Sequence, residues 1–399
     1  MMTHRHEELK KNFTRMFWIQ ALLNVKVINV VGTLFYLHRG LTLSQIFYLT
    51  VLWAVVSLLF EIPSSYLADR WGRKKTLLLG IVLSFVHWIL YIYADNISIF
   101  AISLSLASLQ FACFSGTDDA LIYDTNKELG NGGESIKNLG KYYSARSIFK
   151  IVAPLVGAYI AQDLLEWQFL IILGIDMVAI IISLFFAVKL VEPNHYMDVE
   201  KQEAGIIKDA WKIMRSDRVI GRAMVSRTLL FISVFIIWRF HQKYFIDIGL
   251  SVWALGIAWS VIHTLGFFHN QYIEKFLRRG DLNLEINFLN ILTIILMGLM
   301  LCGVLFFPQP LLLLCIFILL DAVELFRWPL YAEFYNRRSQ SFNRATTLSL
   351  SNFLKSILDI PLLFIVSVLI SRDITYPFIF AAGLAFLVLF FKLPRHRAA

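Results

Sequence analysis

SSYLADRWGRKKTL, residues 64–77, is the stretch on which the fold turns. It joins two apolar runs, Leu43 to Leu67 and Thr76 to Ala94, each close to the roughly 20 residues that a helix needs to cross a bilayer. So little chain separates them that they must form a hairpin, with Arg70, Arg73, Lys74 and Lys75 at its tip. Lysine and arginine beside spanning helices stay on the cytoplasmic side, so the tip is expected to face the cytoplasm.

The rest of the chain repeats this alternation. Of 399 residues, 58% are hydrophobic and the mean hydropathy is +0.66, too apolar for a soluble fold and too evenly apolar for a single anchor. Apolar runs centred near Leu23, Ala54, Ser84, Leu109, Leu155, Ile180, Ser233, Ser260, Ile294, Leu319, Leu358 and Ala385 predict twelve spans, numbered 1 to 12 below. The first run follows a cationic start but lacks a small-residue cleavage site, so it is expected to be retained as span 1. With both termini placed in the cytoplasm, most of the 37 lysines and arginines fall in inward segments, and the outward loops hold Arg39, Lys243 and Arg372. This asymmetry accounts for the net charge of +9 as a topology signal, without a nucleic-acid partner.

Cys113, Cys302 and Cys315 lie in apolar runs with no Cys-x-x-Cys spacing, so neither a disulfide framework nor a thiolate metal site is expected. His87, His263 and His269 are scattered without ligand spacing and read as core residues. No nucleophile–base pair, metal constellation or phosphate-cradling glycine loop marks an enzyme or a cofactor site.

A long connection divides the spans into two sets of six. Residues 1–191 are expected to form an N-terminal six-helix bundle, 192–221 a cytoplasmic linker, and 222–399 a C-terminal six-helix bundle. Within the linker, Ile207, Trp211 and Met214 recur at helical spacing beside Lys208, Lys212 and Arg215, the pattern of an amphipathic helix on the membrane surface. One constant offset carries Asp69–Lys74 onto Glu274–Arg279, Asp119 onto Glu324 and Lys150 onto Lys355, which suggests an internal duplication.

Leu67-Ala68-Asp69-Arg70-Trp71-Gly72-Arg73-Lys74 resembles the signature loop of the major facilitator superfamily, Gly-x-Leu-Ala-Asp-Arg-x-Gly-Arg-Lys, with Ser65 in place of the leading glycine. The resemblance implies an all-α membrane protein with twelve transmembrane helices in two pseudo-symmetric six-helix bundles, a monomer that moves a small-molecule substrate by alternating access. It also implies that this loop joins spans 2 and 3 and latches the cytoplasmic side through ion pairs of Asp69 and Arg73, with Arg70, Gly72 and Lys74 completing the motif. Ala153-Pro154-Leu155-Val156-Gly157 in span 5 is similar to part of the family's Gly-Pro-x-x-Gly-Gly antiporter run, a hint of export. Span 4 carries Ala112 where the family's second motif has an arginine.

An ionised side chain at the bilayer centre costs at least ~2.5 kcal/mol, so charges kept there mark candidate sites. They are Lys26 in span 1, Asp118 and Asp119 in span 4, Arg146 and Lys150 in span 5, Asp176 in span 6, Arg227 and Arg239 in span 7, Asp321, Glu324 and Arg327 in span 10, and Lys355 and Asp359 in span 11. Depth pairs Asp119 with Arg146 or Lys150 across the hairpin of spans 4 and 5, and Glu324 with Lys355, so Arg146, Lys150, Lys355 and Asp359 are expected to be helix–helix charge partners. Asp124, at the end of span 4, can meet Arg73 and join the gate. Asp118, Asp119 and Glu324 are candidates for proton coupling, because a carboxylate that moves between a dry site and a nearby cation takes up and releases a proton. In the resembling family, spans 1, 4, 7 and 10 line the path, which makes Lys26, Arg227, Arg239, Asp321 and Arg327 candidate substrate contacts, although Lys26 could instead pair with Asp176. Arginine holds a carboxylate by two parallel hydrogen bonds.

The expected function is secondary active transport: proton-coupled export of a small polar or carboxylate-bearing organic compound through a plasma (inner) membrane, with protons as the coupling ion. Proton-driven uptake by symport is the nearest alternative, and a lipid flippase a more distant one.

Overall fold

A computed structural model describes residues 2–131, 135–194, 218–277, 281–338 and 344–394. The chain divides into two compact units, Met1–Val199 and Glu200–Ala399, and the described residues of both are built from helices alone.

In the first unit, span 1 is α1 (Met2–Leu23), a 3-10 turn over Val27–Val30, and α2 (Gly32–His38). Spans 2 and 3 are α3 (Leu43–Trp71) and α4 (Arg73–Tyr93), span 4 is α5 (Ile97–Phe114) with α6 (Thr117–Glu128), span 5 is α7 (Ser135–Ser144) with α8 (Ala153–Ile160), and span 6 is α9 (Glu166–Val188). The second unit holds α10 (Arg218–Asp247), α11 (Val252–Leu277), α12 (Leu282–Phe306), α13 (Pro310–Arg338), α14 (Arg344–Ile370) and α15 (Tyr376–Leu387), which are spans 7 to 12. Seven of these helical stretches are by themselves long and apolar enough to cross a membrane, and the bent pair of span 1 makes an eighth. The others are interrupted, short or charged, as α13 is by Asp321, Glu324 and Arg327.

Polar joints lock the apolar helices together. His87 Nδ1 meets Ser103 Oγ at 2.7 Å while that hydroxyl donates to the His87 carbonyl at 2.9 Å, tying α4 to α5; Ser108 donates to the Trp53 carbonyl at 2.8 Å, tying α5 to α3. His87 is thus the core residue that its lack of ligand spacing implied. At the opposite end of the unit from residues 69–74, Phe35, Tyr36, Tyr91 and Phe100 form an aromatic cluster, and Arg39 closes it by donating to Glu166 at 2.6 Å.

Spans 1, 4 and 5, each read from a single apolar run, are broken helices. Span 1 bends by 57° where Val27, Ile28, Val30 and Val31, stiff β-branched residues with low helix propensity, follow Lys26. Span 4 breaks at Gly116, whose φ of +77° is open to glycine without strain. In span 5, Pro154 cannot continue a helix from before it but suits the first turn of α8.

The run Ala153–Gly157, whose resemblance hints at export, has a packing role in the structure. A Cβ on Gly157 would stand 2.6 Å from the Val27 carbonyl oxygen and 2.7 Å from Val30 Cγ1, so α8 reaches the break of span 1 only because residue 157 has no side chain. Gly157→Ala is expected to cost about 1–3 kcal/mol of stability by overpacking. Thermal unfolding of the purified protein in detergent measures it, and an unchanged midpoint would show that α8 can withdraw freely.

In the second unit, Phe240, Tyr244 and Phe378 pack α10 onto α15, and His241 stacks on Phe317 of α13. Asn287 of α12 both donates to the Leu393 carbonyl (2.8 Å) and accepts from its N–H (3.0 Å), while Asn283 donates to the Pro394 carbonyl (2.8 Å). The chain leaving span 12 is thereby pinned to the start of span 9. The proposed surface helix around Ile207, Trp211 and Met214 lies outside the described residues, as do Arg278 and Arg279 of the repeat echo and the side chains of Glu274 to Leu277.

Candidate functional site

Three groups of polar residues stand out against the apolar helices. The first surrounds the loop of residues 69–74. Gly72, with φ +101° and ψ 155°, ends α3 and starts α4, so the two helices share a single linking residue. The carboxylate of Glu192 accepts from the backbone N–H groups of Arg73 and Lys74, both at 2.7 Å, and fills the open N-terminus of α4. A Cβ on Gly72 would lie 2.9 Å from that carboxylate, so both the backbone and the contact require glycine. Arg73 donates from Nε to Asp124 (3.1 Å) and from Nη1 to Asp69 (3.0 Å), bringing together the loop and the end of α6. Among the described residues, Arg70 reaches only the Tyr66 hydroxyl, at 3.1 Å.

Sequence reasoning missed the outer part of this network. Arg5 of α1 bridges to Glu128 at 2.7 Å and donates to the Glu192 carbonyl at 3.1 Å, while Glu128 accepts from the Asn194 N–H at 2.6 Å. Asn12 makes the same reciprocal pair with Val191 (2.8 and 3.0 Å) that Asn287 makes with Leu393. Residues 192–194, read as the start of a linker, are therefore fastened, together with Val191, to spans 1, 3 and 4. The one available signal was Glu192-Pro193, a carboxylate followed by a helix-ending proline just past an apolar run.

The second group lies deeper in the first unit. Lys26, at the break of span 1, has φ +36° and ψ 57°, a left-handed conformation that a side-chain-bearing residue rarely adopts and that costs roughly 1–3 kcal/mol unless its surroundings impose it. Asp176 of α9 imposes it: its two carboxylate oxygens accept from the N–H groups of Val27 (2.6 Å) and Ile28 (3.0 Å). Asp176 thus serves as a buried cap for a broken helix, and Lys26 makes no hydrogen-bonded pair with it. Asp118 accepts from the Tyr142 hydroxyl and Asp119 from the Tyr143 hydroxyl, each at 2.6 Å. The expected pairing of Asp119 with Arg146 or Lys150 is replaced by these hydroxyls, because two consecutive aspartates in α6 face two consecutive tyrosines in α7. Arg146 lies over the Tyr143 ring, 4.8 Å from its centroid, and Gln20, with its amide oxygen turned toward the guanidinium, accepts from Arg146 Nη2 at 2.9 Å.

The third group is in the second unit. Arg327, 2% exposed, pairs with Glu324 one turn earlier in α13 and donates to Thr293 at 3.3 Å. Below it Tyr331 shares hydrogen bonds with Ser226 (2.9 Å) and Asn290 (3.0 Å), and Arg227 lies 4.0 Å from the Trp328 ring centroid. Arg239 sits over the rings of Phe235 and Trp238 in its own helix. The expected Glu324–Lys355 contact is absent, since Glu324 is taken by Arg327 and Lys355 donates to Asp359 at 2.8 Å within α14. Lys355 and Asp359 are therefore partners along one helix, where spacing i to i+4 puts them on the same face. Asp321 is 8% exposed, and its Oδ2 meets no donor. No set of three metal-ligating side chains occurs among the described residues.

The family model for the Major Facilitator Superfamily matches residues 19–360. The chain is 23% identical over 262 residues to the uncharacterized MFS-type transporter YxaM of Bacillus subtilis (strain 168), a match covering 63% of this chain and 65% of that protein. It is 25% identical over 191 residues to Multidrug resistance protein 2 of the same organism, covering 47% of each. The matched stretches therefore span a little under two thirds and about half of these relatives' lengths. Among solved structures, the nucleoside transporter NupG superposes with a TM-score of 0.72 at 14% identity, covering 96% of this chain and 98% of that one, which is a likeness of fold alone.

Proposed function

The chain belongs to the Major Facilitator Superfamily, a family of membrane transporters, and we propose that within it this protein exports a small polar or carboxylate-bearing organic compound in exchange for protons. One observation carries the proton part. Of the intramembrane acids named above, Asp118, Asp119, Asp176, Glu324 and Asp359 each hold a hydrogen bond or ion pair, whereas Asp321 holds neither with a described residue, and its buried Oδ2 meets no donor. An ionised carboxylate buried without a partner is costly, and one proton removes that cost. The coupling role is thereby moved from Asp118, Asp119 and Glu324, which are engaged by tyrosines and an arginine, to Asp321.

Export is favoured over uptake by the likeness to Multidrug resistance protein 2. In this reading the protein is a monomer in the plasma membrane with both termini and the loop of residues 69–74 in the cytoplasm, and the Arg73–Asp124–Asp69 cluster belongs to the gate on that side. The test begins with compounds that accumulate in a deletion strain. Everted vesicles carrying the protein should take them up when an inside-acid gradient is imposed and stop when it is collapsed. Uptake indifferent to the gradient would remove the coupling, and accumulation in right-side-out vesicles instead would reverse the direction.

A further inference from the structure

Two indoles meet at a right angle in the second unit. Trp238 of α10 and Trp259 of α11 stand 5.8 Å apart between ring centroids with their planes at 89°, and both are half-buried. Tryptophan in a membrane protein commonly anchors a helix at the lipid head groups. Trp259 is instead held by the protein: its Nε1 donates to Nε2 of His241 at 3.2 Å, and His241 is 1% exposed. An indole nitrogen can only donate, so Nε2 is the acceptor and the imidazole proton sits on Nδ1, which donates to the Trp238 carbonyl at 2.7 Å. The His241 ring also lies flat on Phe317 of α13, with centroids 4.6 Å and planes 16° apart. One nitrogen of His241 thus grips α11 and the other its own helix, which fixes the angle between the indoles.

The strip of α10 that carries Trp238 is a poor face for lipid. α10 packs against α13, α14 and α15, and 67% of its apolar stretch is buried, against at most 44% in the other helices that are long and apolar enough to span a membrane alone. Its half-buried positions include Arg227 and Arg239, and arginine turned to hydrocarbon is costly. The Arg239 guanidinium lies over Trp238, 5.6 Å from the ring centroid. Two ring planes at a right angle offer a third ring one face to stack on and one to meet edge-on, the two arrangements that aromatic pairs prefer. The guanidinium beside them can take a carboxylate by paired hydrogen bonds. The geometry points to a binding corner for a planar aromatic carboxylate, with Trp238 and Trp259 holding the ring, Arg239 the carboxylate, and His241 as the positioning residue behind Trp259. Taking that compound class to be the cargo rests on the transporter reading above.

The experiment is isothermal titration calorimetry of the purified full-length protein in detergent with 2-naphthoate. Decahydro-2-naphthoate, which keeps the charge and loses the aromatic planes, and 2-naphthamide, which keeps the rings and loses the charge, are the controls. Naphthoate should bind along a saturating curve, and each control at least about tenfold more weakly. Trp259→Leu should weaken naphthoate binding at least about tenfold, and Arg239→Gln should erase the preference for naphthoate over naphthamide. His241→Phe should weaken binding as well, whereas His241→Gln, which returns an acceptor to Trp259, should restore most of it; equal loss in both would remove the positioning role. No saturable binding of naphthoate, equal binding of its saturated analogue, or unchanged binding in Trp259→Leu would overturn the corner. If Trp259→Leu does not remain monodisperse, Arg239→Gln decides, and a preference for naphthoate that survives it would overturn the corner too. No proton gradient enters this measurement, so a protein that binds naphthoate but shows no gradient-driven flux keeps the corner and loses the proton-coupled export.

Discussion

Asp321→Asn is expected to abolish transport driven by a pH gradient while leaving exchange of labelled for unlabelled substrate intact. Asparagine keeps the shape of the side chain but cannot gain or lose a proton, so the cycle loses its coupling ion and retains its cargo movement. Exchange needs no net proton transfer and serves as the internal control for folding and insertion. Asp321→Glu should retain part of the driven flux, since it keeps the titrating group on a longer stem. Two outcomes would count against the assignment: a variant that still concentrates substrate under a gradient, or one that loses exchange together with protein level, which would make Asp321 a packing residue.

Asp176→Leu should have the largest effect on stability. It leaves the N–H groups of Val27 and Ile28 without acceptors, at residues 3% and 4% exposed, and each orphaned buried donor costs about 1–3 kcal/mol, for a sum of about 2–6 kcal/mol. Asp176→Asn keeps one acceptor oxygen and turns an amide toward the other N–H, so it should fall between leucine and wild type. Thermal or denaturant unfolding in detergent provides the ranking. A loss below about 1 kcal/mol for leucine would mean that water reaches the break and satisfies both groups.

The hairpin of spans 2 and 3 was legible because its two signals are local: an apolar run of spanning length, and a short basic turn. The Arg73–Asp124 contact was legible too, since both residues lie at helix ends whose depth follows from counting. What escaped were contacts that depend on how helices rotate about their axes. Asp119 and Arg146 do come near each other, on either side of Tyr143, yet hydroxyls from Tyr142 and Tyr143 take the facing positions; the matched pairs Asp118-Asp119 and Tyr142-Tyr143 were the overlooked signal. Glu324 and Lys355 failed to meet because each had a nearer partner on its own helix, three or four residues away. The break in span 1 was only half visible: its β-branched run is local, but the carboxylate that satisfies its open N–H groups, Asp176, lies 149 residues further along the chain.

Glu192 has a consequence for what the protein shows to its surroundings. The start of a helix, with its free N–H groups and positive end, is a ready receptor for phosphate, and the loop of residues 69–74 would offer one beside a surface of lipid head groups. Here the polypeptide supplies its own anion from the exit of span 6, and an anion from outside finds the N–H groups of Arg73 and Lys74 occupied. What remains open at this corner to an anion from outside are the exposed side chains of Arg70 and Lys75.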